Sequence, residues 1–210
     1  GSLKIDEECI GDLLPQSKIE RWKQAKDIVA VASDLGVFAI LKADGRVEAY
    51  CRNREDMETQ VDQWRNVKKI TVIGEQLIGI HEDGTISVTA QLWDYDTVVT
   101  KYVQYWKNVV SVSTVAMAYD FDNIMIAGLC RDGTVVAADG SGELELSGWK
   151  QMVQVKVIYD RSDLRFSVAG LRRDGKVLLS GNGYAVDDWK DIVQIAGGDR
   201  HFVGLRKDGT

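Results

Sequence analysis

The residues of this chain with reactive chemistry are few. There are two histidines, His81 and His201, and three cysteines, Cys9, Cys51 and Cys130. Nucleophilic catalysis needs a nucleophile, a base and a group that orients the base. The histidines lie in unrelated settings, IHEDG and GGDRHFV, and assemble no such set. An odd number of cysteines with no C-x-x-C pair points to free thiols in a reducing compartment. Neither histidine lies near two cysteines, so a zinc site is not expected. Asp120, Asp122 and Asn123 offer oxygen ligands for calcium, but not in a twelve-residue loop closed by Glu. Asp139-Gly140-Ser141-Gly142 reads as a loop rather than an anion cradle, and no phosphate-binding or dinucleotide fingerprint is present. No catalytic residue, metal ligand or cofactor site is assigned, and the chain is not expected to be an enzyme.

Composition sets the class. Of 210 residues, 45% are hydrophobic and 28% charged, as in an ordinary soluble domain. The net charge of −6 argues against nucleic acid and anionic membranes, whose phosphates call for clustered Lys and Arg. No apolar run reaches the length of a membrane span. The opening GSLKIDEECIG lacks the basic and apolar regions of a signal peptide. A cytoplasmic protein is expected.

What organises the chain is a repeat. Asp-Gly pairs stand at Asp44-Gly45, Asp83-Gly84, Asp132-Gly133, Asp174-Gly175 and Asp208-Gly209. Three residues before each Asp stands Leu41, Ile80, Leu129, Leu171 or Leu205, and five before it Ala39, Ile78, Ala127, Ala169 or Val203. Between them lie Ile40 and then Gly79, Gly128, Gly170 and Gly204. Alternation on both sides of Asp-Gly marks a β-hairpin whose turn needs positive φ, which Gly accepts and Asp tolerates. A Trp leads each repeat into a β-branched run: Trp22, Trp64, Trp106, Trp149 and Trp189, spaced by 42, 42, 43 and 40 residues.

A period near 42 suits propeller blades or helical solenoid repeats. The runs alternate with period two and are rich in Val and Ile, so they are strands. The expected fold is all-β, a β-propeller of five blades in a single domain, residues 1–210. The repeats run over approximately 22–63, 64–105, 106–148, 149–188 and 189–210. The N-terminal residues 1–21 are expected to complete the last blade and close the ring. The Trp slot is expected to wedge between sheets, and Leu171 and Leu205 are expected to be core residues. Trp93, in WDYD, stands outside the slot and is assigned to packing.

The runs WKDIVQIAGGDRHFVGLRKDGT and SVAGLRRDGKVLLSGNG resemble the regulator-of-chromosome-condensation repeat family, especially its short bacterial versions. That family repeats Gly-Gly-x-x-His, a small-apolar-Leu-x-x-Asp-Gly hairpin and a strand ending near Gly-x-Asn. His201 matches the family's His, whereas Val37, Gln76, Met125 and Ser167 stand in its place elsewhere. Gly181-Asn182 matches the end of the repeat, and Ala138-Asp139 and Tyr50-Cys51 depart from it. The resemblance implies a β-propeller that acts as a protein-interaction platform. Its best-known members have seven blades, and nothing here matches an exchange element for a small GTPase. In blade count alone the chain is similar to the tachylectin family of sugar-binding propellers.

Function is sought where the repeats depart from one another. Between the first strand and Asp-Gly, repeats three and four are longer than the others by seven and six residues. These stretches hold Tyr119, Asp120, Phe121 and Asp122, then Tyr159, Asp160, Arg161 and Asp163. Lying in the same loop of neighbouring blades, they are expected to form one partner-binding patch of aromatic and acidic groups. The expected partner is another protein of basic character. Carbohydrate is the alternative ligand, but a sugar site in every blade needs the same polar and aromatic residues in every copy, and these loops differ.

Overall fold

A computed structural model describes residues 14–24, 29–32, 36–51, 54–90, 101–117, 120–160, 165–180, 186–198 and 201–210. Side chains at 29–32, 116–123 and 160 lie outside that description. The chain divides into two compact units, residues 1–96 and 97–210.

The first unit opens with helix α1 (Gln16–Gln24) and sheet β1 (Val29–Ala32), β2 (Val37–Leu41), β3 (Val47–Cys51). Helix α2 (Asp56–Val61) leads into sheet β4 (Val67–Ile73), β5 (Gln76–His81), β6 (Ile86–Val88). The second unit includes, among its described residues, a 3-10 turn, Val103–Tyr105. Its first sheet is β7 (Val109–Met117), β8 (Asp120–Cys130), β9 (Val135–Asp139), β10 (Gly142–Glu143). Next comes β11 (Met152–Asp160), β12 (Arg165–Arg172), β13 (Val177–Ser180), and last the pair β14 (Ile192–Gly197), β15 (Phe202–Arg206). Each repeat thus builds one antiparallel sheet in chain order, as alternation about Asp-Gly requires.

The turns have one geometry. Gly45 N–H donates to Lys42 O at 3.0 Å and Lys42 N–H to Arg46 O at 2.9 Å; His81, Cys130, Arg172 and Arg206 repeat both bonds. This is a three-residue loop with the glycine left-handed, φ +76° to +90° across the five turns. The aspartates are not at positive φ, contrary to the sequence reading. Each instead accepts the backbone N–H two residues on, as Asp44 Oδ1 does from Arg46 at 3.0 Å. The positive-φ side chains lie elsewhere in the repeat, at Asn66, Asn108, Gln151 and Asp191. Each stands directly before a first strand whose register then slips by a bulge after Val67, Val109, Met152 and Ile192.

Cores form between neighbouring sheets within each unit. In the first unit, Val37, Ala39 and Leu41 of β2 and Val47, Ala49 and Cys51 of β3 meet Trp64, Val67 and Ile70. In the second, Ala127, Leu129 and Val135 meet Trp149, Met152 and Val155, and Ala169, Leu171 and Val177 meet Ile192 and Ile195. A buried apolar residue stands three before every slot Trp: Ile19, Val61, Val103, Leu146 and Val186. In the last four its carbonyl accepts the Trp N–H at 2.8–3.1 Å. Helix α1 instead sets Ile19 and Trp22 against Phe38 and Ile40 of its own sheet.

One core assignment is corrected. Leu171 is 2% exposed, but Leu205, in the same slot, is 42% exposed and its neighbour Val203 55%. The slot is buried by the next sheet, and among the described residues none follows β15. Of residues 1–21, expected to complete this sheet, 1–13 lie outside the described residues, as does Trp93, and 16–21 instead belong to helix α1, packed on β2.

Candidate interaction surface

The repeated Trp side chains are structural by contact. A Cβ on Gly79 would meet Trp64 Cζ3 at 2.7 Å, on Gly170 Trp149 Cζ3 at 2.5 Å, and on Gly204 Trp189 Cζ3 at 2.7 Å. Gly128 stands 3.2 Å from Trp106 by the same measure. The glycine slot of the hairpin is therefore the seat of the indole. In the first repeat the slot holds Ile40, and Trp22 sits on α1 with its Nε1 donating to Glu48 Oε2 at 2.8 Å. Arg21 and Lys42 also pair with Glu48, and hydrogen bonds from Lys42 and Trp22 hold its carboxyl below the usual range against the desolvation of burial.

The two extended loops fall on the β7–β8 and β11–β12 connections, at the end of each sheet opposite its Asp-Gly turn. Asp120, Phe121 and Asp122 belong to the backbone of β8 and Asp160 to that of β11; their side chains, with Tyr119, Arg161 and Asp163, lie outside the described residues. Tyr159 is described, and it is interior. Its ring is 3% exposed and packs on Phe166 across the strand pair, centroids 4.8 Å apart. Strand β11 runs on to Asp160, so alternation along a packed strand turns this ring inward.

The titratable groups are occupied by local structure. His81 is half-buried rather than exposed; its Nδ1 lies 2.6 Å from Arg65 O and its Nε2 2.7 Å from Ser87 Oγ. Cys51 and Cys130 are buried and outside any disulfide, and burial pushes the Cys130 thiol up. Arg54 is buried beside α2 with Nε and Nη2 each 3.0 Å from Asp56, which holds that carboxyl below its usual range. Its Nη1 has no hydrogen-bond partner among the described residues. No group of three His, Cys, Asp or Glu side chains among the described residues is placed to hold a metal. No described helix is long and apolar enough to cross a membrane.

The turn ends of neighbouring sheets are joined by backbone. Met152 N–H donates to Gly133 O at 2.9 Å and Ile192 N–H to Gly175 O at 3.2 Å; in the first unit Val67 N–H donates to Gly45 O at 3.0 Å. The left-handed residue meanwhile accepts from its own turn: Asn108 O from Arg131, Gln151 O from Arg173, Asp191 O from Lys207, at 2.8–2.9 Å. An open depression of about 610 Å³ at the last turn is lined by Asp188, Lys190, Asp191, Arg206, Lys207 and Asp208.

No known family matches the chain. No curated protein matches it either. Among solved structures it is similar to Prp20p of Saccharomyces cerevisiae, described with its binding properties to Gsp1p and histones. Identity is 12% and the TM-score 0.41, over 68% of this chain and 42% of that one. The matched region thus spans less than half of that protein.

The sequence reading missed two features of this surface. Every slot Trp is followed by a cation: Lys23, Arg65, Lys107, Lys150 and Lys190. The second residue of the turn is a cation in the last three repeats, Arg131, Arg173 and Lys207. Both signals are present in the aligned repeats; only the bonds between turns show that they share one end.

Proposed function

We propose that the chain is a non-enzymatic protein-interaction scaffold of the chromosome-condensation-regulator repeat type. The observation that carries this reading is internal. Five copies of one Trp and Asp-Gly pattern each build one antiparallel sheet, and in the described parts the copies agree in core and turn while differing in surface. A scaffold needs this division, since one packing rule supports many unlike rims. The described histidines, cysteines and turn aspartates serve packing and turn geometry, which leaves the functional residues to the surface.

The finer reading is a five-bladed propeller in which the N-terminal residues complete the β14–β15 sheet. It is supported by the uniform repeat and by the edge of β15, which pairs with no further strand among the described residues and is costly to leave bare. The partner is another protein. Prp20p was described as binding Gsp1p and histones, but the choice of a protein partner rests on the repeats and not on that likeness.

The test is affinity capture by the whole chain, followed by chemical cross-linking and mass spectrometry. The reading expects one or a few proteins cross-linked to a continuous surface. Turnover of a small molecule by the purified chain, with no protein captured, overturns it.

A further inference from the structure

We propose that the Asp-Gly turn end of the second unit, over sheets β7–β10 and β11–β13, docks an acidic segment of a partner protein. This rests on the scaffold reading and names the surface and the partner's chemistry.

The surface is built by repetition. Lys107 and Lys150 each follow a slot Trp, and Arg131 and Arg173 each hold the second position of a turn. All four are exposed. The backbone draws them together: Arg131 N–H bonds Asn108 O at 2.8 Å, Met152 N–H bonds Gly133 O at 2.9 Å and Arg173 N–H bonds Gln151 O at 2.9 Å. These bonds run without a break from the residue after Lys107 to the residue after Lys150 and on to the next turn. The four cations therefore stand on turns and on residues just ahead of the first strands, which backbone bonds tie together.

The two turns carry fewer carboxylates, Asp132 and Asp174, than cations, Arg131, Arg172, Arg173 and Lys176. Asp132 accepts Thr134 N–H at 3.0 Å and Thr134 Oγ1–H at 2.7 Å within its own turn. Asp174 is matched by Arg172, and Lys176 adds a further positive charge. The last repeat is different. Asp187, Asp188 and Asp191 flank Lys190 and Lys207 there, so that sheet is close to neutral. In the first unit the second turn position holds Ala43 and Glu82 instead of cations. These two sheets thus differ from the others in the cations at the second position of their turns, in a chain whose net charge is −6.

An aromatic anchor accompanies it. Tyr105 lies two residues before Lys107 and is 68% exposed, the highest value among the exposed large apolar or aromatic residues. Exposed Tyr beside Arg and Lys is the composition of a protein-binding hot spot. Acidic peptide suits this surface better than nucleic acid. Discrete Glu and Asp side chains can be spaced to meet each cation and to leave Asp132 and Asp174 uncontacted, whereas a continuous phosphate chain meets both.

The test uses the full chain and a fluorescein-labelled Glu- and Asp-rich peptide carrying one Leu, followed by anisotropy at low and high salt. A single-stranded oligonucleotide of equal charge is the comparison. The wild type should bind the peptide, more weakly as salt rises. Lys107→Glu with Lys150→Glu should lose affinity at least about tenfold with an unchanged melting temperature. Tyr105→Ala should weaken binding several-fold, and Lys68→Glu in the first unit should not. Absent peptide binding, undiminished affinity in the double variant, or tighter binding of the oligonucleotide overturns the proposal. Applied to a captured partner, the double variant separates the two readings. A partner retained by it removes this surface and leaves the scaffold; no partner captured by the wild type removes the scaffold and this docking surface with it.

Discussion

Trp149 seats its indole on the backbone of Gly170, at a distance where a single added carbon would meet ring atoms Cζ3 and Cε3 at 2.5 and 2.7 Å and Met152 Sδ at 3.1 Å. The fit leaves no space for a side chain in the middle of β12. Gly170→Ala should therefore destabilise by about 1–3 kcal/mol through overpacking. Gly148→Ala, one residue before the same Trp, has nothing within 4 Å of the new Cβ and should change stability by less than about 0.5 kcal/mol. Urea unfolding of both variants checks this; equal losses would mean the indole is not held there.

Gly175 and Gly209 share a left-handed φ, +83° and +90°, but not their surroundings. A Cβ at Gly175 would stand 3.1 Å from Asp191 Cα and 3.2 Å from Ile192 N, whereas at Gly209 it meets nothing within 4 Å. Gly209→Ala should cost only the left-handed backbone term, about 1–2 kcal/mol, less whatever fraying at the turn relieves. Gly175→Ala should cost clearly more, because the neighbouring backbone has to move. Thermal melts that rank the pair in the opposite order would contradict the docked turn.

Leu171→Ala should destabilise by about 2–5 kcal/mol, since a buried Leu leaves a cavity. Leu205→Ala, at 42% exposure, should lose less than about 1 kcal/mol. Chemical denaturation measures both. A large loss at Leu205 would show that something covers the last sheet in solution.

Asp174 has its pKa lowered from the usual 3.8 to about 2, chiefly by hydrogen bonding from Arg172. A depressed carboxyl contributes its stabilisation above the unfolded value and loses it as pH falls through the folded one. The window is therefore between roughly pH 4 and pH 2. The group is fully exposed, so the effect on stability should be small and the titration is the clearer readout. An NMR titration should place the Asp174 midpoint near 2 in the wild type, and Arg172→Ala should raise it toward 3.8.

Much of this architecture was legible because its signals are local. The Asp-Gly pairs fixed each turn, and alternation around them fixed the pairing of β2 with β3 and of β12 with β13. Leu171 and Leu205 look alike in sequence and differ in burial, because burial depends on whether another sheet packs over the strand. Tyr159 reads as a loop aromatic until β11 is seen to continue to Asp160, which turns the ring to the core. The left-handed Asn66, Asn108, Gln151 and Asp191 are of three residue types. Their role follows from the carbonyl that each offers to its own turn, a contact across many residues. The cations after each Trp were visible throughout, but their common location depends on bonds between repeats.

The carbonyl of Gly133 fixes more than one strand. Main-chain bonds at the turn end align adjacent sheets, and further along the strands Gln154 with Ile195 and Ser113 with Val157 add side-chain bonds between them. The opposite rim, past Met117 and Asp160, lies beyond these bonds. It is free to lengthen, as it does before β8 and β12, without disturbing the spacing below. Each repeat is in this sense indexed at one end and open to variation at the other, so new specificity can be written into the far rim one repeat at a time.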